Sequence, residues 1–156
     1  MRKVLFMKGS ELRLIEYMEG SKKRFIIPVY QRNYDWKIEN CKQLYDDLIQ
    51  VIKNNSKTHF FGSIVSVYEP SGRNTEFLII DGQQRLTTMS LLFLALYNLL
   101  EEKIIISEDE SLKDQIYEDF LVDKYQPQEK RMKLKPIKND QKAFSKLFNS
   151  KDDYIK

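Results

Sequence analysis

"LIIDGQQRLTTMSLL", residues 78–92, is where this chain changes from one kind of structure to another. A short β-branched run ends at Asp81-Gly82, three polar residues follow, and an apolar run resumes at Leu86. The first run reads as a buried strand and Asp-Gly as a tight turn. From about Gln84 to Ile105 the chain is apolar on most sides. Its length and its leucine, methionine and alanine content favour a central helix. Gln83, Gln84 and Arg85 therefore stand at a strand-to-helix junction.

On the N-terminal side, "HFFGSIVSVYE" (59–69) reads as another strand and "PSGRNTE" (70–76) as the loop of an antiparallel hairpin. Gly62 inside that strand marks a bulge or a close backbone approach. "KIENCKQLYDDLIQVIKN" (37–54) is an amphipathic helix with Ile38, Cys41, Leu44, Tyr45, Leu48, Ile49 and Ile52 on its apolar face. "QRNYDW" (31–36) is a loop, and "RFIIPVY" (24–30) a short extended segment. A first helix over residues 11–18 is capped by Ser10 and ended by Gly20. On the C-terminal side, "LKDQIYEDFLV" (112–122) is an amphipathic helix, and "YQPQEKRMKLKP" (125–136) is loop with a possible strand. "NDQKAFSKLF" (139–148) is a short helix that Asn139 or Asp140 caps. The chain ends in a polar run, "NSKDDYIK", with no folding logic of its own, and so reads as the front part of a longer protein.

The chain has 156 residues, enough for one domain, with 42% hydrophobic and 31% charged residues, the balance of a folded, non-membrane protein. Its apolar stretches are shorter than a membrane span of about 20 residues. One cysteine excludes an internal disulfide, fits a cytoplasmic setting and removes cysteine-pair zinc sites; one histidine removes most histidine-based ones. Cys41 reads as a buried structural thiol, and His59 as structural. A net charge of +3 permits a local basic patch without diagnosing a nucleic-acid binder. No Walker loop, GxGxxG or HExxH occurs.

The junction carries the strongest functional signal. Backbone N–H groups at a helix start, together with the helix dipole, favour an anion. Arg85 runs against the dipole unless it faces a phosphate or a carboxylate. Asp81 is placed to cap the helix, bind a metal or orient Arg85. The plain alternative is a common Asp-Gly turn with Arg85 paired to a nearby acid. In "IPVYQRNYDW" (27–36), Arg32 suits a bidentate phosphate contact, and Tyr30, Tyr34 and Trp36 suit stacking on a base. Equally, Tyr30 and Trp36 are core anchors and Arg32 a solvated charge. In "EKRMKLKPIK" (129–138), Lys130, Arg131, Lys133 and Lys135 fit either DNA-backbone contacts or a lysine-protected edge strand.

Together, "IPVYQRNYDW", "HFFGSIV" and "LIIDGQQRLTTMSLL" resemble the N-terminal domain of GmrSD-type restriction proteins, whose mark is the DGQQR motif, here Asp81 to Arg85. "RMKLKPIKNDQKAFSKLF" is similar to a later segment of that family. The resemblance implies an α+β fold related to ParB and sulfiredoxin, a small mixed β-sheet with several surrounding helices. It also implies nucleoside-triphosphate binding, usually with hydrolysis and a divalent metal such as Mg2+, in phage defence acting on DNA that is often modified. Carried over by position, the nucleotide site takes Gln31, Arg32, Gly62, Ser63, Gly82 and Arg85. Catalysis falls to Asp81, Gln83, Gln84 and Arg85, with Asp81 as the metal residue. A C-terminal HNH nuclease domain, common in the family, needs several histidines and is not expected in these 156 residues. Two other readings compete: a non-enzymatic DNA-binding module with a ParB-like fold, and a partner-binding domain that forms a homodimer.

Overall fold

Two residues, Gly72 and Arg73, turn the central hairpin, and Gly72 supplies the left-handed φ of +63° such a tight connection requires. The computed structural model describes residues 9–149. Its strands are β1 (Lys23–Ile26), β2 (Val65–Ser71), β3 (Asn74–Asp81) and β4 (Leu134–Lys135). They form one mixed sheet in the order β2-β3-β1-β4. β2 and β3 are antiparallel; β1 lies parallel to both β3 and β4, with Phe25 opposite Phe77 on one side and Leu134 on the other. The parallel strands thus all end at the same edge, at Asp81, Ile26 and Lys135.

Among the described residues, five α-helices accompany the sheet: α1 (Leu14–Met18), α2 (Ile38–Lys53), α3 (Gln83–Glu101), α4 (Leu112–Ile116) and α5 (Lys138–Asn149). α4 continues as a π-helical turn over Tyr117–Leu121, and a 3-10 turn covers Gln128–Lys130. This is the small mixed α+β core expected from the sequence. The main core gathers Met18, Phe25, Ile79, Leu86, Met89, Leu134 and Phe144. Phe25 stacks on Phe77 at 5.4 Å, with Tyr17 closing the aromatic group at 5.2 Å from Phe25. A second cluster of Leu94, Ile116, Leu121 and Val122 holds the far half of α3 against α4, and Phe93 stacks on Phe120 at 4.2 Å. α3 is central, as its apolar circumference predicts: eight of its residues, including Gln83 and Gln84, are buried.

Three local expectations are corrected. The strand expected from residue 59 begins only at Val65, because Gly62 adopts φ +102° and its segment wraps against Arg85 instead of pairing. The hairpin loop is two residues, not seven, since β2 and β3 pair up to Ser71 and Asn74. The apolar face of α2 is only partly used. Leu44 is buried, whereas Ile38, Tyr45 and Ile52 are 83%, 53% and 73% exposed. The helix meets the core along one edge of its stripe. At the chain end, residues 150–156 lie outside the described residues.

Candidate functional site

Gly82 begins the site because no other residue fits there. It caps α3 with φ +89°, and a Cβ would stand 2.9 Å from the Ser63 carbonyl oxygen. The start of α3 has no side-chain cap. Asp81 therefore does not cap the helix; its carboxylate is exposed and has no partner among the described residues, Arg85 included.

The three polar residues after Gly82 point to three different environments. Gln84 is buried and holds the 31–36 loop. Its Oε1 accepts the backbone N–H of Asp35 at 3.0 Å and of Trp36 at 3.4 Å, and its Nε2 donates to the Asn33 carbonyl at 3.0 Å. Arg85 lies about 200° round the helix from Gln83. Its guanidinium donates to the Ser63 carbonyl at 2.7 Å and lies against Gly62, where a Cβ would come within 2.8 Å of it. Arg85 Nε is buried without a partner. The anion expected opposite this cation is, among the described residues, a backbone carbonyl. Gln83 is 8% exposed, and its side-chain amide has no partner among the described residues.

The 27–36 loop is tied to β3 by Gln31, whose Nε2 donates to the Ile80 carbonyl at 2.8 Å. Tyr34 is anchored twice. Its phenol meets Thr88 Oγ1 at 2.9 Å and Cys41 Sγ at 3.3 Å, and its backbone N–H donates to Asp140 Oδ2 at 2.6 Å. Burial, then the hydrogen bond with Cys41, pushes the Tyr34 phenol up to about 12. Arg32 pairs with Asp35 at 3.0 Å in an exposed position. Trp36 is half-buried on the core, whereas Tyr30 is 70% exposed and is no core anchor. His59 is exposed.

These elements enclose a cleft of about 230 Å³ between α3 and α5, next to the ends of β1 and β4. Ile27, Leu91, Pro136, Ile137, Phe144 and Leu147 form its apolar walls; Arg32, Tyr34, Gln83, Gln84, Thr87 and Asp140 form its polar part. A crevice at the carboxyl ends of parallel strands is where open α/β sheets bind ligands. Over residues 14–156 the sequence matches the family model of the GmrSD restriction endonuclease N-terminal domain. The chain belongs to that family. A search of curated proteins gives no match. As a GmrSD N-terminal domain, the chain is part of a restriction protein, which places it in phage defence and implies dealings with DNA. No helix among the described residues is long and apolar enough to cross a membrane.

The GmrSD motifs thus converge in space, but on two sides of α3. Arg32, Gln83 and Gln84 border the cleft; Gly62, Ser63 and Arg85 pack together on another face; Asp81 and Gly82 join them. Thr87, Asp140 and the α5 wall were missed as site residues. The signal for Thr87 was a polar residue inside a buried helix; Asp140 read only as a cap. Of the basic candidates, Lys130, Arg131 and Lys135 are exposed, but Lys133 is 1% exposed. Its ammonium donates to the Gly20 and Asp119 carbonyls, so it is a structural cation and offers nothing to a DNA backbone. Lys22, Lys23, Arg24 and Lys130 surround a small cavity at the opposite edge of the sheet from the cleft, with Glu76 and Asp123 as the acids.

Proposed function

We propose that this domain binds a nucleoside triphosphate in the α3–α5 cleft and hydrolyses it as the nucleotide-dependent part of a restriction protein. The observation that carries the reading is the Gln83 amide, which has no hydrogen bond among the described residues and opens onto the polar part of an apolar cleft beside Arg32. An amide that opens onto an apolar cleft and is not engaged within the protein is free to give its donor and acceptor to a ligand. The apolar walls suit a nucleobase. Arg32 and the free N–H groups at the start of α3 suit the phosphates. Gln84 acts as a positioning residue, because its hydrogen bonds are spent on holding the loop that carries Arg32. Arg85 likewise positions the Gly62–Ser63 segment against Gly82.

A water attacking the γ-phosphorus breaks its bond to the β–γ bridging oxygen, releases the nucleoside diphosphate and inorganic phosphate, and gives up a proton to the phosphate product or to solvent. The Gln83 amide is suited to orient that water. Among the described residues no group of three or more His, Cys, Asp or Glu side chains converges on a metal. Mg2+ fits nonetheless, since it is commonly held by one or two carboxylates with phosphate oxygens and waters. When bound, it would neutralise charge on the phosphates. Triphosphate turnover with Mg2+ tests the reading. Gln83→Ala and Arg32→Ala should each lower it by about 100- to 1,000-fold, the range for loss of one preorganised donor. No turnover by the wild type, or equal turnover in all three proteins, rejects it.

One observation favours a second reading, DNA-backbone binding: the basic surroundings of the small cavity at the far edge of the sheet. The two readings use different surfaces and are compatible.

A further inference from the structure

Arg32 and Asp140 are the two charged side chains that line the cleft. Asp140 lies in the first turn of α5. One carboxylate oxygen, Oδ2, accepts the Tyr34 N–H at 2.6 Å; the other, Oδ1, has no hydrogen bond among the described residues. Tyr34 is in turn fixed by Thr88 and Cys41, and its neighbour Asp35 by Gln84. The carboxylate is therefore held at one oxygen and open at the other. Asp81, the acid within the DGQQR motif, does not line the cleft.

On the reading of the cleft as a triphosphate site, we propose that Asp140, not Asp81, is the carboxylate that takes the divalent cation of the metal–nucleotide complex. A bare carboxylate beside a triphosphate repels it, and a shared divalent cation reverses that repulsion. One carboxylate is sufficient where phosphate oxygens and waters complete the shell. The anchoring by Tyr34 gives the preorganised ligand such a site needs. A merely structural Asp140, favourable in a first helical turn, would staple the loop to α5 and leave metal dependence untouched.

Calorimetric binding of the β,γ-imido analogues of adenosine and guanosine triphosphate, with Mg2+ and with chelator, separates these. Mg2+ should tighten binding to the wild type and to Asp81→Asn by the same factor. Asp140→Asn keeps an acceptor oxygen for the Tyr34 N–H, so the fold is retained. It should lose about 10-fold or more of the Mg2+ effect, with metal-free affinity unchanged or raised. A second readout needs no variant: Mn2+ with the analogue should broaden the NMR amide signals of Tyr34 and Asp140 most strongly, with the effect falling off with distance towards Asp81 and Val65. A Mg2+ effect retained in Asp140→Asn, or broadening centred on Asp81, overturns the assignment and leaves the cleft reading standing. No analogue binding by the wild type, with or without Mg2+, overturns both.

Discussion

At Gly62 two demands coincide: a φ of +102° and a guanidinium 2.8 Å from where a Cβ would stand. Gly62→Ala should therefore destabilise the domain by about 1–3 kcal/mol, the cost of a non-glycine residue in such a conformation, read by urea denaturation. Arg85 would have to move as well. Of the two sequence readings of Gly62, a bulge or a close backbone approach, the structure shows the second, with the Arg85 guanidinium as the neighbour. Lys133 was not legible. It sits in an alternating lysine segment, and nothing local says which lysine turns inward. Burial depresses its ammonium from 10.5 to about 8. Between about pH 8 and pH 10 the unfolded chain binds the extra proton. Stability should thus rise with pH there, by at most about 1.4 kcal/mol per unit, and be lost as pH falls towards 8. Above about pH 10 the raised Tyr34 phenol works the other way, since the unfolded chain then releases its proton first. Lys133→Met should flatten the rise in pH-dependent thermal denaturation.

At the scale of elements, α3 was legible and α2 only half so. A helix that is apolar on most sides from Leu86 to Leu100 needs cover whatever surrounds it. An amphipathic stripe shows only that one side prefers cover, not how much of it the neighbours reach. Leu44→Ala should cost about 2–5 kcal/mol as a core truncation. Ile52→Lys should change stability by no more than about 0.5 kcal/mol. Equal losses in a denaturation series would mean the exposed edge of α2 is covered after all. Gln84 links two elements. Gln84→Ala leaves the N–H groups of Asp35 and Trp36 without their acceptor and should cost about 1–3 kcal/mol. Gln83→Ala should leave the denaturation midpoint nearly unchanged. Adjacent glutamines in the sequence look alike; their roles separate only because one side chain meets a loop and the other a cleft.

Across the whole molecule, the sheet separates two surfaces. The cleft lies at the carboxyl ends of the parallel strands, and the basic cavity at the start of β1. If the latter meets DNA, Lys22→Ala/Lys130→Ala should reduce the salt dependence of binding by a slope of about 2, one for each lost phosphate contact, and leave nucleotide binding unchanged. A fluorescence-anisotropy titration over a salt series would show it, and an unchanged slope would remove this surface from DNA contact. The sequence by itself determined the family, the α+β class, the hairpin and the central helix. These follow from local periodicity, turn chemistry and an intact motif, all written in neighbouring residues. Only the tertiary structure decided that Arg85 faces Gly62 and Ser63 while Gln83 faces the cleft, that Lys133 is buried, and that Asp140 stands beside Tyr34. Those contacts join residues far apart in the chain, and their geometry depends on how the strands and helices pack. A helix turns about 100° per residue, so three consecutive side chains can serve three different environments, and only packing assigns which.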